Sequence, residues 1–285
     1  AAMRKFISVL SESFPAQVLI TLATYGLYAA VIGVSLLPSA LVLHAAARAL
    51  LSVQPAPMAL VARLLLFCLC VGASLYVYFI TGIFVIGSFV RLVSLGMRPG
   101  RYPIASATTL RWLIYSGVSG IAQKTILPMI PVTFFSTLYF RLVGCRMGRR
   151  VRLNSWLLHD AWLIELGDDV VIGGGTTISP HQFEDGCLVL EPVRVGGGTL
   201  VGAFSYLSSN VTVGRNCLIG IRSFVRRGTT VPDGTRMTSL AGLPLREMYR
   251  IEKAGRIARQ AGRPGSVPKP RRTERTGRPK RARPR

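Results

Sequence analysis

The sequence predicts a membrane α-helical anchor, made of two transmembrane helices plus interfacial helices, followed by an all-β parallel β-helix. Three observations carry this. A branched aliphatic residue returns every six positions at Val189, Val195, Val201, Leu207, Val213, Ile219, Val225 and Val231. That period fits neither an amphipathic helix nor an alternating strand, and it is the signature of a parallel β-helix. Two apolar runs without a charge, residues 17–47 and 64–90, each exceed the ~20 residues that cross a bilayer. The charge is lopsided, with 35 Lys+Arg against 12 Asp+Glu. The basic excess sits in a tail and around the apolar runs, whereas eight of the twelve acids fall between residues 160 and 233.

Residues 1–15 form an N-terminal cytoplasmic segment in which Arg4 and Lys5 precede the first apolar run. That run is too long for the core of a cleavable signal peptide. Residues 16–97 hold the two transmembrane helices, and Gly72, Gly82 and Gly87 in the second suit close helix–helix approach. Arg4 and Lys5 lie before the first helix and Arg91, Arg98, Arg101 and Arg111 after the second, while the connection carries only Arg48 and Arg63 at its edges. Positive charge stays inside. The expected protein is therefore multi-pass in the inner (cytoplasmic) membrane, with both termini and the β-helix cytoplasmic and with Pro55 and Pro57 in the outer turn. Residues 98–143 are cut by Lys124, Pro128 and Pro131 and read as interfacial or re-entrant helices docking the next domain. Trp112, Tyr115 and Tyr139 are ring types that settle at headgroup level. A third, kinked span is the alternative.

The repeat domain covers residues 144–236. Met147 and Leu153 are six apart, as are Leu166, Ile172 and Ile178. Ile178 to Val189 is eleven, one short of two repeats, so a loop leaves the β-helix within residues 179–188. Residues 154–163 are a second insertion out of phase. Four positions after the anchors come small or β-branched residues such as Thr199, Ser205 and Cys217, and Gly196, Gly202, Gly214 and Gly220 directly follow anchors. Pro232-Asp233-Gly234 turns the chain out of the pattern. Residues 237–261 read as a C-terminal extension with a short basic helix. Residues 262–285 form a disordered basic tail with too little apolar surface to fold.

Of three histidines, His44 lies in the first apolar run, and His159 and His181 fall in the two excursions. His181 is followed by Glu184 and Asp185, and a loop histidine oriented by a carboxylate is suited to general-base work. The competing reading is a ring that caps its own loop. Two histidines in this domain are too few for a three-histidine zinc site, and Cys68, Cys70, Cys145, Cys187 and Cys217 form no ligand pair, so no metal is expected. The tail has no aromatic residue among its charges, which argues against a nucleic-acid partner; anionic lipid is the nearest partner, and a solvated tail with no specific partner is the competing reading.

The anchors followed by glycine, with Thr, Ser or Cys four positions on, resemble the hexapeptide-repeat acyltransferases, which implies a left-handed parallel β-helix. A narrower resemblance runs from His181, Phe183, Glu184 and Asp185 through Pro192 to Gly196, Val201-Gly202, Val213-Gly214, Ile219-Gly220, Ser223 and Gly228. These residues look like the membrane-embedded C-terminal modules of poly-ε-lysine synthetase-like non-ribosomal peptide synthetases. Where that family carries Arg after the Glu-Asp pair, this chain has Gly186. The resemblance implies acyl or aminoacyl transfer to an amine, with His181 deprotonating the acceptor and Glu184 or Asp185 orienting it. The donor is then a phosphopantetheine thioester on a carrier protein, and no cofactor is bound tightly. Adenylation and carrier domains, membrane lipid, and either sister modules or further copies of the β-helix are the expected partners. Two alternatives stand beside it: an acetyl-CoA-dependent O- or N-acetyltransferase acting on a cell-surface polysaccharide precursor, and a non-catalytic membrane scaffold of a synthetase.

Overall fold

The computed structural model describes residues 14–52 and 57–237. The N-terminal segment up to residue 13, Pro55 of the expected outer turn, the C-terminal extension beyond Met237 and the basic tail, for which anionic lipid is the expected partner, lie outside the described residues.

Two helices of 38 residues each, α1 (Phe14–Leu51) and α2 (Pro57–Ser94), form an antiparallel pair. Their cross-links show the direction: Thr81 donates to the Ser35 carbonyl at 2.6 Å, Ser39 to the Ser74 carbonyl at 2.6 Å and Arg63 to the Leu50 carbonyl at 2.8 Å. Phe14 and Ser94 therefore lie at one end of the pair. Both helices contain stretches long and apolar enough to cross a membrane, 34 and 35 residues. At ~1.5 Å per residue these are about 50 Å long, more than a ~30 Å hydrocarbon core requires. The surplus is used by packing: Ile83, Ile86 and Val90 of α2 are fully buried, whereas Leu60, Leu65, Leu69 and Leu75 stay about half exposed.

The buried half of α2 is covered by α3 (Ala107–Thr125) and α4 (Phe134–Leu142), which Ser106 and Thr133 cap through side-chain bonds to Thr109 N–H and Ser136 N–H. Pro128 falls in the single turn Leu127–Met129 between them. Gly82 and Gly87 make room for this layer, because a Cβ on either would collide with Ile126 or Leu142. The rings expected at headgroup level are instead part of the protein core: Trp112, Tyr115 and Tyr139 are 4%, 1% and 0% exposed. They lie on the helix faces turned towards α2 and the repeat domain, where apolar area is removed from water without needing lipid.

The repeat domain is a three-sided prism of short parallel strands. One side stacks β2 (Arg146–Met147), β4 (Ile164–Leu166), β9 (Val193–Val195), β12 (Thr212–Val213) and β15 (Thr230–Val231). The next stacks β3 (Arg152–Leu153), β5 (Val171–Ile172), β10 (Leu200–Val201), β13 (Leu218–Ile219) and β16 (Arg236–Met237). The third stacks β6 (Thr177–Ile178), β11 (Tyr206–Leu207) and β14 (Phe224–Val225), with Leu158 bridged to Ile178 ahead of them. Each six-residue step moves to the next side, and Val195 pairs with Val213 three repeats on. Every anchor from Leu153 onward along these stacks is buried up to Val231. The small residues four positions on close the corners by bonding to the next coil: Thr199 donates to the Gly214 carbonyl at 2.7 Å and Ser205 to the Gly220 carbonyl at 2.9 Å. Each hydroxyl also accepts a backbone N–H, from Cys217 and Ser223. Their burial therefore leaves no orphan polar group.

The first anchor of the series departs from expectation. Val189 is buried, but it lies in an antiparallel hairpin, β7 (His181–Glu184) and β8 (Cys187–Leu190), and not in the prism wall. The chain leaves the prism after Ile178 and returns at Val193. Asp185 and Gly186 turn the hairpin with φ of 45° and 68°. Positive φ at both central residues is what a two-residue turn between twisted strands needs, and Asp-Gly supplies it at low cost. The segment before α3 adds a third strand, β1 (Gly100–Pro103), antiparallel to β8, so that the expected loop is a three-stranded sheet.

Candidate active site

Both departures from the six-residue period leave the prism at one corner, between the third and first sides, on consecutive coils. Leu158 and Ile178 are bridged neighbours on the third side, and His159 N–H donates to the Ile178 carbonyl at 2.9 Å. The first excursion therefore stacks on the second, and residues distant in sequence meet. Asp160, at the start of a single helical turn Ala161–Leu163, has left-handed backbone (φ 44°, ψ 51°), a conformation that Asp tolerates better than most residues. Its carboxylate is 1% exposed. Oδ2 is hydrogen-bonded to Nδ1 of His181, and Oδ1 accepts the Trp112 indole N–H at 2.7 Å. Trp112 also meets the His181 ring edge-on, 4.8 Å between centroids, and the Phe183 ring at 5.6 Å.

His181 is 22% exposed on its side chain, so the ring stays partly accessible. With Nδ1 engaged by a buried carboxylate, Nε2 is the nitrogen left to exchange a proton with a bound molecule. The carboxylate on the ring is thus Asp160; Glu184 and Asp185 are held elsewhere. Side chains alternate along a strand, so His181 and Phe183 face Trp112 while Gln182 and Glu184 face away. Glu184 bonds Arg227 at 2.8 Å, and Asp185, in the turn, bonds Arg101 of β1 at 2.8 Å. Arg227 also forms a two-pronged pair with Glu191 at 2.7 and 2.8 Å, and it holds that carboxyl below its ordinary range. These ion pairs tie the hairpin to the prism and to β1.

Sequence reasoning missed Asp160 and Trp112. The position of Asp160 was recoverable, because two insertions that both follow third-side anchors must stack. Trp112 lies outside the repeats, and no local pattern points to it. His159 has its ring centroid 5.9 Å from that of His181. Burial lowers its pKa from the ordinary 6.5, against the opposing pull of Asp160 and together with the repulsion of His181. Because the folded value lies below the unfolded one, stability is intact above pH 6.5 and is lost as pH falls from there through the folded value. Thermal unfolding of the wild type should drop more steeply than that of His159→Gln between pH 7.5 and pH 5.5; parallel pH profiles would contradict this assignment. Among the described residues no cluster of three or more His, Cys, Asp or Glu is arranged to hold a metal.

No family model matches the chain. It is 26% identical over 183 residues to delta-poly-L-ornithine synthetase of Acinetobacter baumannii, an alignment that covers 64% of this chain and 13% of that protein. It is 22% identical over 163 residues to the candidate acetyltransferase YvoF of Bacillus subtilis, covering 54% of this chain and 91% of the relative. The chain carries a six-residue repeat of its own and is similar to a poly-amino-acid synthetase and to an acetyltransferase. A solved hexapeptide-repeat acetyltransferase from Vibrio cholerae, complexed with acetyl coenzyme A, is 20% identical. Its TM-score is 0.31, with 34% of this chain and 57% of that one covered. The chain thus spans a small part of the synthetase's length and most of the Bacillus subtilis relative's.

Proposed function

We propose that the chain is a membrane-anchored module that transfers an acyl or aminoacyl group from a thioester to an amine, with His181 as general base. The observation that supports it best is the buried Asp160 carboxylate on Nδ1 of a ring that stays partly exposed. As the acceptor amine attacks the thioester carbonyl, Nε2 takes the proton the nitrogen loses. The C–N bond forms, the C–S bond breaks, and the imidazolium returns its proton to the departing thiolate, giving amide and free thiol. Asp160 stabilises the imidazolium in between. The donor in this reading is a carrier-bound phosphopantetheine thioester, in keeping with the likeness to a poly-amino-acid synthetase, and carrier and adenylation domains are its partners. The half-exposed apolar faces of α1 and α2 support anchoring in the membrane, and the arginines that follow α2 (Arg98, Arg101 and Arg111) support the reading that the prism is cytoplasmic.

The test is thiol release by the full chain in lipid vesicles, with an aminoacyl-loaded carrier or acetyl-CoA as donor and a primary amine as acceptor. His181→Ala should lower the rate about 10²- to 10⁴-fold, the worth of a positioned general base. An unchanged rate would remove His181 from the chemistry. Turnover with acetyl-CoA alone would favour the acetyltransferase reading, and no turnover with either donor the scaffold.

A further inference from the structure

We propose that Trp112, which lies outside the repeat domain, is a positioning residue for the Asp160–His181 pair, so that helix α3 forms part of the site. This rests on the reading of His181 as the base. Asp160 hangs from an excursion, and the last torsion of an aspartate side chain is broad and easily turned. A carboxylate that made one hydrogen bond only would rotate about it, and the direction it gives the His181 ring would rotate too. The indole N–H removes that freedom: it fixes Oδ1 at 2.7 Å and leaves Oδ2 aimed at Nδ1.

The brace is wider than one bond. Tyr115, one turn further along α3, accepts the Ala161 N–H at 3.1 Å, and Gln123 donates to the Leu158 carbonyl at 3.2 Å. Trp112, Tyr115 and Gln123 share the buried face of α3 and hold both sides of the Asp160 excursion. Burial pushes the Tyr115 phenol well above its ordinary value, so it stays neutral and keeps this geometry at any working pH. The helix is itself located by the apolar pair, through Ile126 against Gly82 and Tyr28 against Gly117. The orientation of the base is therefore set from the anchor side, across the domain boundary.

Three histidines make the imidazole nitrogens of the full chain resolvable by ¹⁵N labelling in lipid nanodiscs. In the wild type we expect the His181 Nδ1–H proton far downfield and Nε2 unprotonated. Trp112→Phe should abolish the downfield signal, mix the two tautomers, and lower kcat about 10- to 10²-fold with KM unchanged, the worth of one charge-assisted hydrogen bond. Benzothienylalanine at position 112 keeps the ring volume without the N–H, and so separates the hydrogen bond from packing if the phenylalanine variant folds poorly. A benzothienylalanine chain with the wild-type signal would overturn the proposal. The ring spectrum needs no substrate: a chain inactive with every donor overturns the transfer reading, and the spectrum then decides the brace alone.

Discussion

Asp160→Asn is expected to slow the proposed transfer reaction about 10⁴-fold while the prism stays folded, the scale seen when an orienting carboxylate becomes an amide. The two parts of that expectation have one cause. An asparagine can turn its carbonyl oxygen to the Trp112 indole N–H and its amide to His181. The indole N–H and the His181 ring then both keep a partner, and folding is spared. An amide donates where a carboxylate accepts, however. Nδ1 must become the acceptor and Nε2 must carry the proton, so the nitrogen that should receive a proton already has one. Asp160→Ala behaves differently, because it leaves a buried indole N–H unpaired and should cost about 1–3 kcal/mol of stability as well as activity. Thiol-release rates, thermal unfolding and ¹⁵N shifts of His181 together separate the two variants. A wild-type rate in the Asp160→Asn variant would show that the ring is not held by this carboxylate.

The prism was readable because its rule is local. A side chain every six residues must fill one interior, so the anchors from Val195 to Val231 declare themselves without any knowledge of the rest. The same rule misled at Val189, which meets it by coincidence: a hairpin strand packed on the prism also buries branched aliphatics, and nothing in the residue tells the two apart. His181 was found because it stands where the period breaks. Sequence order points to Glu184 and Asp185 as its partners, whereas the geometry of a coil places the partner one turn away, at Asp160. Strand alternation had already excluded Glu184, once residues 181–184 are seen as a strand and not a loop. Trp112 was legible only as an apolar ring beside a membrane. Its indole N–H acquires a meaning from tertiary contact, which no periodicity encodes.

The glycines that follow the anchors yield the other large effect. Gly202→Ala is expected to destabilise the prism by about 3 kcal/mol, near the upper end of what overpacking costs, because it forces backbone and not side chain to move. Coils stack at the ~4.8 Å spacing of hydrogen-bonded strands, and at this corner a Cβ points along the stack. On Gly202 it would lie 2.6 Å from the Ile221 nitrogen and 2.7 Å from the Gly220 carbonyl carbon. Neither atom can swing aside, since Gly202 N–H is itself bonded to the Ile219 carbonyl at 2.8 Å in the same ladder. Gly173 one coil earlier meets the same limit, 2.5 Å from the Ala203 nitrogen. An array in which each coil touches only its neighbours cannot spread such a shift, so the two coils must part. Gly228→Ala is the comparison that isolates the cause. That position has φ of +69° and nothing within 4 Å of an added Cβ, so an alanine there bears only the left-handed backbone cost of about 1 kcal/mol. Thermal unfolding of both variants in the full chain should therefore place Gly202→Ala well below Gly228→Ala. Equal shifts would mean that the corner glycines are kept for their torsions and not for the distance between coils.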